Sequence, residues 1–247
     1  MHKILLGIFL LAKTCQSTEL PSLPLVNADI DNMQNMFEFN GNQDIVKTNI
    51  ADKSIAKFGL PTFGNTPIVD ASFPLELAIL FPQNGKLVLM DNQLNLLQTL
   101  NVFKNSSYSI SHFGRSADGL FWIFNQSTRT IQKLNRDGDM VQESNIIQNV
   151  KNDRLYRIFD FGEDIFLQNG MNLLKFTPNL QYVSTEENTY MVRSYQSQAR
   201  INMGKLTHEY KGKLVSTSVL PEAMPIGVSR NNYVLQTQNG LILQAIE

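Results

Sequence analysis

Short apolar segments bounded by turn-forming residues recur along this chain at intervals of about 40 residues, and no other feature constrains the fold as strongly. In the clearest copy, residues 118–135, the apolar run 120–124 stops at the polar turn 125–128, and a second strand-like segment covers 130–134. A strand with apolar residues on both faces has to be covered on both faces. The repetition therefore predicts sheets that stack face to face.

Other segments follow the same order of strand, turn and strand. The predicted central strands lie near residues 38, 88, 122, 166 and 235. The last gap leaves room for one degenerate unit, which we place around residues 213–217. Two stretches lack the pattern: we predict an extended strand plus a long loop over 186–204 and a long connection over 53–74.

Several antiparallel strands in each unit of about 40 residues are typical of a β-propeller blade. We therefore predict an all-β, β-propeller-like domain over residues 18–247, with about five to six four-stranded blades in a ring that is irregular or incompletely closed. An irregular β-sandwich is the alternative fold. The apolar segment 241–246 is expected to help close the ring, with a partner near Leu25 and Val26.

These segments resemble the broad β-propeller superfold of NHL-like and related exported repeat proteins. They are also similar to a group of small secreted bacterial propeller-like proteins. The similarity covers most of the chain after residue 17, but its motifs are generic, and no blade carries a Trp-Asp dipeptide. The resemblance implies a fold and does not identify an activity.

The first 17 residues have the pattern of a secretory signal peptide. His2 and Lys3 form a short basic region, an apolar run covers 4–12, and Cys15 and Ser17 are the small residues that a signal peptidase reads. We predict cleavage after Ser17 and export to the periplasm or the extracellular space. The apolar run is too short to span a bilayer, and no other segment approaches about 18 apolar residues, so no transmembrane helix is expected.

Cys15 is the only cysteine of the chain. It lies where a bacterial lipoprotein carries its acylated cysteine, although Lys13 fits that signal poorly. Lipidation of Cys15, with anchoring to a membrane, is therefore the alternative to simple export. Without a further cysteine, the body of the protein has no disulfide, no thiol nucleophile and no thiolate metal ligand.

The charge pattern argues against nucleic-acid binding. The formal net charge is -1, and the basic residues are dispersed. A nucleic-acid-binding protein needs a basic stripe to neutralise phosphates, and none is present.

Candidate catalytic residues are few. We predict His112 to be a partly buried core histidine whose ring nitrogens are hydrogen-bonded. The adjacent His208 and Glu209 are only weak evidence for a metal site. The segment 135–139 resembles a calcium loop but lacks its full ligand spacing. Most aspartates fall at predicted turns, where they bend the backbone: Asp29, Asp31, Asp70, Asp91, Asp118, Asp137, Asp139, Asp160 and Asp164. We predict no catalytic residue, metal site or cofactor.

The aromatic residues are predicted to fall into two groups, one in the core and one on a recognition surface. Trp122 lies in a central strand and is predicted to pack in the core. Residues of the least repetitive region are predicted to form an exposed surface for a ligand or partner: Tyr190, Tyr195, His208 and Tyr210.

The sequence predicts an exported, non-enzymatic β-propeller-like protein that binds or scaffolds another envelope protein or complex. Two alternatives stay open: a propeller hydrolase or lyase that acts on a sugar or small ester, and a lipid-anchored subunit of an envelope complex. Carboxylates and histidines gathered in one polar channel pocket would favour the enzyme.

Overall fold

The computed structural model describes residues 27–40, 42–60, 63–103, 109–151, 153–194, 197–202, 205–210, 213–218, 224–229, 232–237 and 240–245. Within these residues the chain forms 23 β-strands and no helix. The strands are β1 Ala28–Ile30, β2 Asn35–Phe39, β3 Asp44–Asn49, β4 Ile55–Gly59, β5 Ile68–Asp70, β6 Glu76–Phe81, β7 Lys86–Asp91, β8 Leu96–Asn101, β9 Ile110–Arg115, β10 Phe121–Asn125, β11 Thr130–Leu134, β12 Met140–Glu143, β13 Tyr156–Asp160, β14 Ile165–Asn169, β15 Asn172–Phe176, β16 Tyr182–Glu186, β17 Thr189–Ser194, β18 Ser197–Asn202, β19 Lys205–Tyr210, β20 Lys213–Ser218, β21 Met224–Val228, β22 Asn232–Thr237 and β23 Gly240–Ala245.

Consecutive strands pair antiparallel and form six blades. Blades one to five each have four strands (β1–β4, β5–β8, β9–β12, β13–β16 and β17–β20), and blade six has three described strands, β21–β23. Blades three and four join into one eight-stranded sheet, because β9 and β13 pair in parallel, with Tyr156 opposite His112 and Arg157 opposite Phe113.

Each pair of neighbouring blades shares a cluster of buried apolar side chains. Such stacking covers both faces of a blade, which is what strands apolar on both sides require. Members of the clusters are Phe37 and Phe81 between blades one and two, Leu80 and Phe113 between two and three, Trp122 and Ile158 between three and four, Phe166 and Met191 between four and five, Val192 and Tyr233 between five and six, and Ile226 and Ile30 between six and one. Because blade six packs on blade one, the six blades close into a ring, and the fold is a β-propeller.

Two glycines allow the first strands of neighbouring blades to approach closely. A Cβ atom on Gly114 would lie 1.8 Å from the carbonyl oxygen of Ile158, and one on Gly227 would lie 2.8 Å from Cγ2 of Ile30. Only a residue without a side chain fits at either position. Gly114 therefore permits the pairing of β9 with β13, and Gly227 permits the closure of the ring between β21 and β1.

The first strand of each blade is the innermost strand, and the fourth strand forms the outer edge. All residues of β9 and β13 are buried, whereas most residues of β4, β8, β12 and β16 are exposed or half-buried. Side chains of the innermost strands are thus the ones that can reach the axis of the ring.

A recurrent turn explains several of the aspartates. Oδ1 of Asp31 accepts hydrogen bonds from the backbone N–H groups of Met33 and Asn35, and Asp91 bonds Gln93 and Asn95 in the same way. The turn function predicted for these carboxylates is confirmed. Asn135 likewise bonds the N–H groups of residues 137 and 139, so the segment that resembles a calcium loop is a turn of the same kind.

Two sequence predictions about the blades were wrong. The stretch 186–204 is part of a complete blade five rather than a strand and a long loop, because its innermost strand β17 is followed by half-polar strands that hide the apolar periodicity. The stretch 53–74 is not one connection, since the exposed strand β4 and the short strand β5 lie within it. The predicted central strand near residue 88 is the third strand of blade two, whereas the other four predicted central strands are second strands.

Some predictions fall outside the described residues. The signal peptide of residues 1–17, with Cys15, lies there, as do Leu25 and Val26, which were expected to help close the ring. The described part of the chain contains no helix long and apolar enough to cross a membrane.

Candidate functional site

The histidine and tryptophan of the third blade lie in the core with their polar atoms hydrogen-bonded, as the sequence predicts, although His112 is fully rather than partly buried. His112 is fully buried, its Nδ1 lies 2.7 Å from Oγ of Ser111, and its Nε2 lies 2.8 Å from the carbonyl oxygen of Gln168. Burial lowers the pKa of His112 to about 3, so the imidazole is neutral at physiological pH. Trp122 is buried in the cluster between blades three and four, and its indole N–H donates to Oδ2 of Asp160 at 2.8 Å.

Two of the predicted recognition residues, Tyr190 and His208, are buried rather than exposed. Tyr190 is only 5% exposed, because it lies on innermost strand β17 and packs between blades five and six. His208 is 1% exposed and meets the Tyr233 ring edge-on at 5.7 Å. Tyr210 is half-buried at the end of β19, and Tyr195 lies outside the described residues. The exposed position expected for Tyr190 and His208 is therefore wrong, while a function for any of the four residues stays a prediction.

An ion pair joins blades one and four at the axis of the ring. Nη1 of Arg157 on β13 donates to Oδ2 of Asp29 on β1 at 2.8 Å, and its Nη2 donates to the carbonyl oxygen of Ala28 at 2.6 Å. Blades one and four are opposite each other in a six-bladed ring. The Arg157 side chain therefore crosses the axis and binds the far side.

Further ionisable groups surround this pair. Asp70, at the end of β5, accepts the backbone N–H of Arg115 at 3.0 Å and interacts electrostatically with Asp29 and Arg157. Arg193, on β17, lies with its guanidinium 4.8 Å from the centre of the Phe161 ring and interacts with Asp29 and Asp70. The axis thus gathers carboxylates and guanidinium groups from four blades.

Burial and neighbouring charges act in opposite directions on the pKa values of the ion pair at the axis. Burial raises the pKa of Asp29 to about 6, although Arg157 beside it acts in the opposite direction. Burial also opposes the charge of Arg157, but the neighbouring Asp29 and Asp70 carboxylates raise its pKa. A carboxyl group that titrates close to neutral pH is a candidate for acid–base chemistry.

The Asp29 carboxylate is nevertheless occupied by the protein itself. Its Oδ1 accepts the backbone N–H of Ile30 at 2.9 Å, and its Oδ2 accepts the N–H of Ala71 at 2.9 Å in addition to Arg157. The exposed fraction is 0% for the Asp29 side chain and 7% for that of Arg157. The arrangement therefore braces blades one, two and four against each other and offers no free carboxylate oxygen to a substrate.

The outer edge carries large apolar side chains at one repeated position. They are the first or second residue of the fourth strand in blades one to five, and each is between 49% and 66% exposed: Ile55, Leu96, Leu97, Met140, Val141, Tyr182, Val183 and Leu214. We call these residues the rim. Because equivalent positions lie at the same end of each blade, the rim follows one end of the propeller wall.

Hydrogen bonds between blades bring the rim residues of blades two, three and four together. Nε2 of Gln98 on β8 donates to the carbonyl oxygen of Arg136, in the turn that leads into β12. Nε2 of Gln142 on β12 donates to the carbonyl oxygen of Pro178, in the turn that leads into β16. Each outer strand is thus tied to the turn from which the next pair of rim residues emerges.

A groove of about 620 Å³ lies beside this part of the rim. Its walls are the connection 145–149, between blades three and four, and the last two strands of blade four, β15 and β16. Leu174 and Phe176 contribute apolar side chains, and Tyr182 belongs to both the groove and the rim. We refer to it as the blade-four groove.

The chain matches no protein-family model, and no curated protein matches it in sequence. Solved structures do resemble it. Streptogramin B lyase gives a TM-score of 0.57 at 10% identity, over 93% of this chain and 85% of that chain. A protein of unknown function from Bacteroides caccae gives 0.54 at 10% identity, over 86% and 90% of the two chains. The β-propeller domain of Cps50 (Swd1) from Myceliophteria thermophila gives 0.53 at 8% identity, over 90% and 84%. Likeness at such low identity shows a shared fold, the β-propeller, and nothing of the activity.

Proposed function

We propose that this protein is an exported, non-enzymatic β-propeller that serves as a binding or scaffold protein of the cell envelope, and that its partner is another envelope protein. The rim is the observation that carries the proposal. Exposed outer strands with large apolar side chains favour association with another chain, and monomeric proteins keep such surface small. Five blades of this chain expose them at the same position.

The axis of the ring supports a non-enzymatic function. The carboxylate with the most perturbed ionisation, Asp29, is bonded on both oxygens and is fully buried. A general acid or base has to come within hydrogen-bond distance of its substrate. A buried carboxylate with hydrogen bonds on both oxygens stabilises the ring and offers no oxygen to a substrate.

Export rests on the sequence of the first 17 residues, which has the basic, apolar and small-residue regions of a signal peptide. A body that contains no cysteine needs no disulfide exchange to fold outside the cytoplasm. The protein acts in the periplasm or outside the cell.

The test is affinity purification of the C-terminally tagged, full-length protein from envelope extracts, with mass spectrometry of the intact protein and of its partners. We expect a mature mass that begins at Thr18 and a stoichiometric partner protein. The rim variants Leu97→Ser and Val141→Ser should lose that partner, while Thr99→Ser, on the same outer strand β8, should keep it. Equal capture by the rim variants, or no partner at all, would refute the proposal.

A second candidate function is a hydrolase or lyase that acts on a sugar or small ester. It is favoured by the pKa of about 6 for Asp29, which would suit a general base at neutral pH. Turnover of a glycoside or ester that disappears in Asp29→Asn, in a variant that melts like the wild type, would establish it. A mature mass that begins at an acylated Cys15 would instead favour the lipid-anchored subunit.

A further inference from the structure

The blade-four groove combines a neutral lining with an unusual number of side-chain amides. None of its lining residues is an acid, a lysine, an arginine or a histidine. Asn145, Gln148, Asn149 and Gln181 line it, and their side-chain amides make no hydrogen bond within the described part of the chain. Its volume of about 620 Å³ lies within the usual range for small-molecule sites, about 300–1,000 Å³.

The walls of the groove are held in place by bonds that leave these amides free. Asn169 accepts the backbone N–H of Lys151 at 2.6 Å and donates to the carbonyl oxygen of Asn149 at 3.2 Å. The connection 145–149 is thereby fixed against blade four. A fixed wall reduces the entropy lost when a ligand binds.

Tyr182 gives the groove an exposed aromatic ring of fixed orientation. Its ring meets the buried Phe176 ring edge-on at 5.9 Å, and its hydroxyl group lies 2.9 Å from Oγ1 of Thr185. Tyr182 as a whole is 58% exposed. An aromatic face next to polar groups suits a ligand that has one apolar face and a hydrogen-bonding edge.

We propose that the blade-four groove binds a neutral saccharide of about two or three sugar rings, a size set by the groove volume. A carboxamide presents a donor and an acceptor side by side, which matches two adjacent sugar hydroxyl groups, each able to donate and accept. The C–H face of a sugar ring would pack on Tyr182. A charged ligand would lie in the groove without a counter-ion, which is unfavourable.

A peptide fits the groove less well than a saccharide. An extended peptide is recognised mainly through an open strand edge, by backbone hydrogen bonds. Although β16 forms one wall of the groove, the amides without a hydrogen bond belong to side chains of the connection 145–149 and of the turn at Gln181, and not to the backbone of β16. The saccharide site and the rim share Tyr182, but the amides that carry the site are not rim residues, so amide variants test the saccharide site without altering the rim.

The test is isothermal titration calorimetry of the full chain with neutral cellotriose, maltotriose and tri-N-acetylchitotriose, and with anionic trigalacturonate. We expect at least one neutral trisaccharide to bind and trigalacturonate not to bind. Gln148→Leu and Gln181→Leu should each weaken binding about fivefold to tenfold, because each removes a hydrogen-bonding amide. The matched control is Gln93→Leu, an exposed glutamine in a turn of blade two, which should leave the affinity unchanged.

The results separate this inference from the proposed function. If a neutral trisaccharide binds more weakly to the two groove variants while these variants still capture the protein partner, the result supports the saccharide site and does not bear on the proposed function. Three results would overturn the saccharide proposal. The folded protein binds no trisaccharide at millimolar concentration, it binds trigalacturonate preferentially, or both groove variants bind with the same affinity as the control. Loss of the partner in the rim variants bears only on the proposed function.

Discussion

The ionisation of Asp29 should make the stability of this propeller depend on pH in a characteristic direction. The folded protein holds the Asp29 proton up to a pKa of about 6, whereas the ordinary value is 3.8. Between these two values the folded chain binds a proton that the unfolded chain releases. The stability that this group contributes is therefore fully present below about pH 3.8 and is lost as the pH rises through about 6.

The magnitude follows from the size of the shift. About two pKa units correspond to roughly 3 kcal/mol, at 1.36 kcal/mol for each unit. Asp29→Asn keeps the size of the side chain and removes the titration. Relative to the wild type, the variant should gain about 3 kcal/mol of unfolding free energy between about pH 4 and about pH 7.

The measurement is urea unfolding followed by circular dichroism, for wild type and variant, at several pH values across this range. The difference in unfolding free energy between the two proteins cancels the contributions of other titrating groups. One of these is His112, whose lowered pKa changes the stability with pH in the opposite direction. Asp91→Asn is the control, since hydrogen bonds lower the pKa of this turn carboxylate and the relative gain should be absent. A difference between Asp29→Asn and wild type that stays constant with pH would refute the argument.

Three further predictions concern packing and protonation. Gly114→Ala should prevent folding or lower the unfolding free energy by more than about 3 kcal/mol, because its Cβ would lie 1.8 Å from the Ile158 carbonyl oxygen; an unchanged thermal melt would contradict this. Trp122→Phe should cost about 2–4 kcal/mol, from the lost indole hydrogen bond to Asp160 and the cavity that remains, and a loss below about 0.5 kcal/mol in urea unfolding would count against it. His112 should remain neutral down to about pH 4, because its pKa is about 3, and an NMR titration that shows its protonation near pH 6.5 would disprove this.

The repeated fold could be predicted from sequence where strands are apolar on both faces. The run 120–124 and the strands near residues 166 and 235 are of this kind, and each is the second strand of a blade. Blade five was not predicted because buried and half-buried residues alternate along β18 and β19, as in Ser197–Asn202. Such strands resemble ordinary surface strands in sequence although neighbouring blades cover them.

The functional surfaces were harder to predict, for two different reasons. The rim has a signal in the sequence, since apolar pairs such as Leu96 and Leu97 follow the third-strand turn in blades two, three and four. Such a pair can be recognised as exposed only once the strand order is known. The ion pair between Asp29 and Arg157 joins residues 128 positions apart, and nothing local in the sequence connects them. The blade-four groove likewise depends on how a connection packs on the next blade.

The most direct test of the account compares partner capture by three proteins: wild type, the rim variant Val141→Ser and the axis variant Asp29→Asn. All three are tagged, purified from envelope extracts and checked for folding by their thermal melts. We expect Asp29→Asn to capture the same stoichiometric partner as the wild type and Val141→Ser to lose it. Capture by Val141→Ser at the wild-type level, with loss in folded Asp29→Asn, would place function at the axis of the ring and contradict the account.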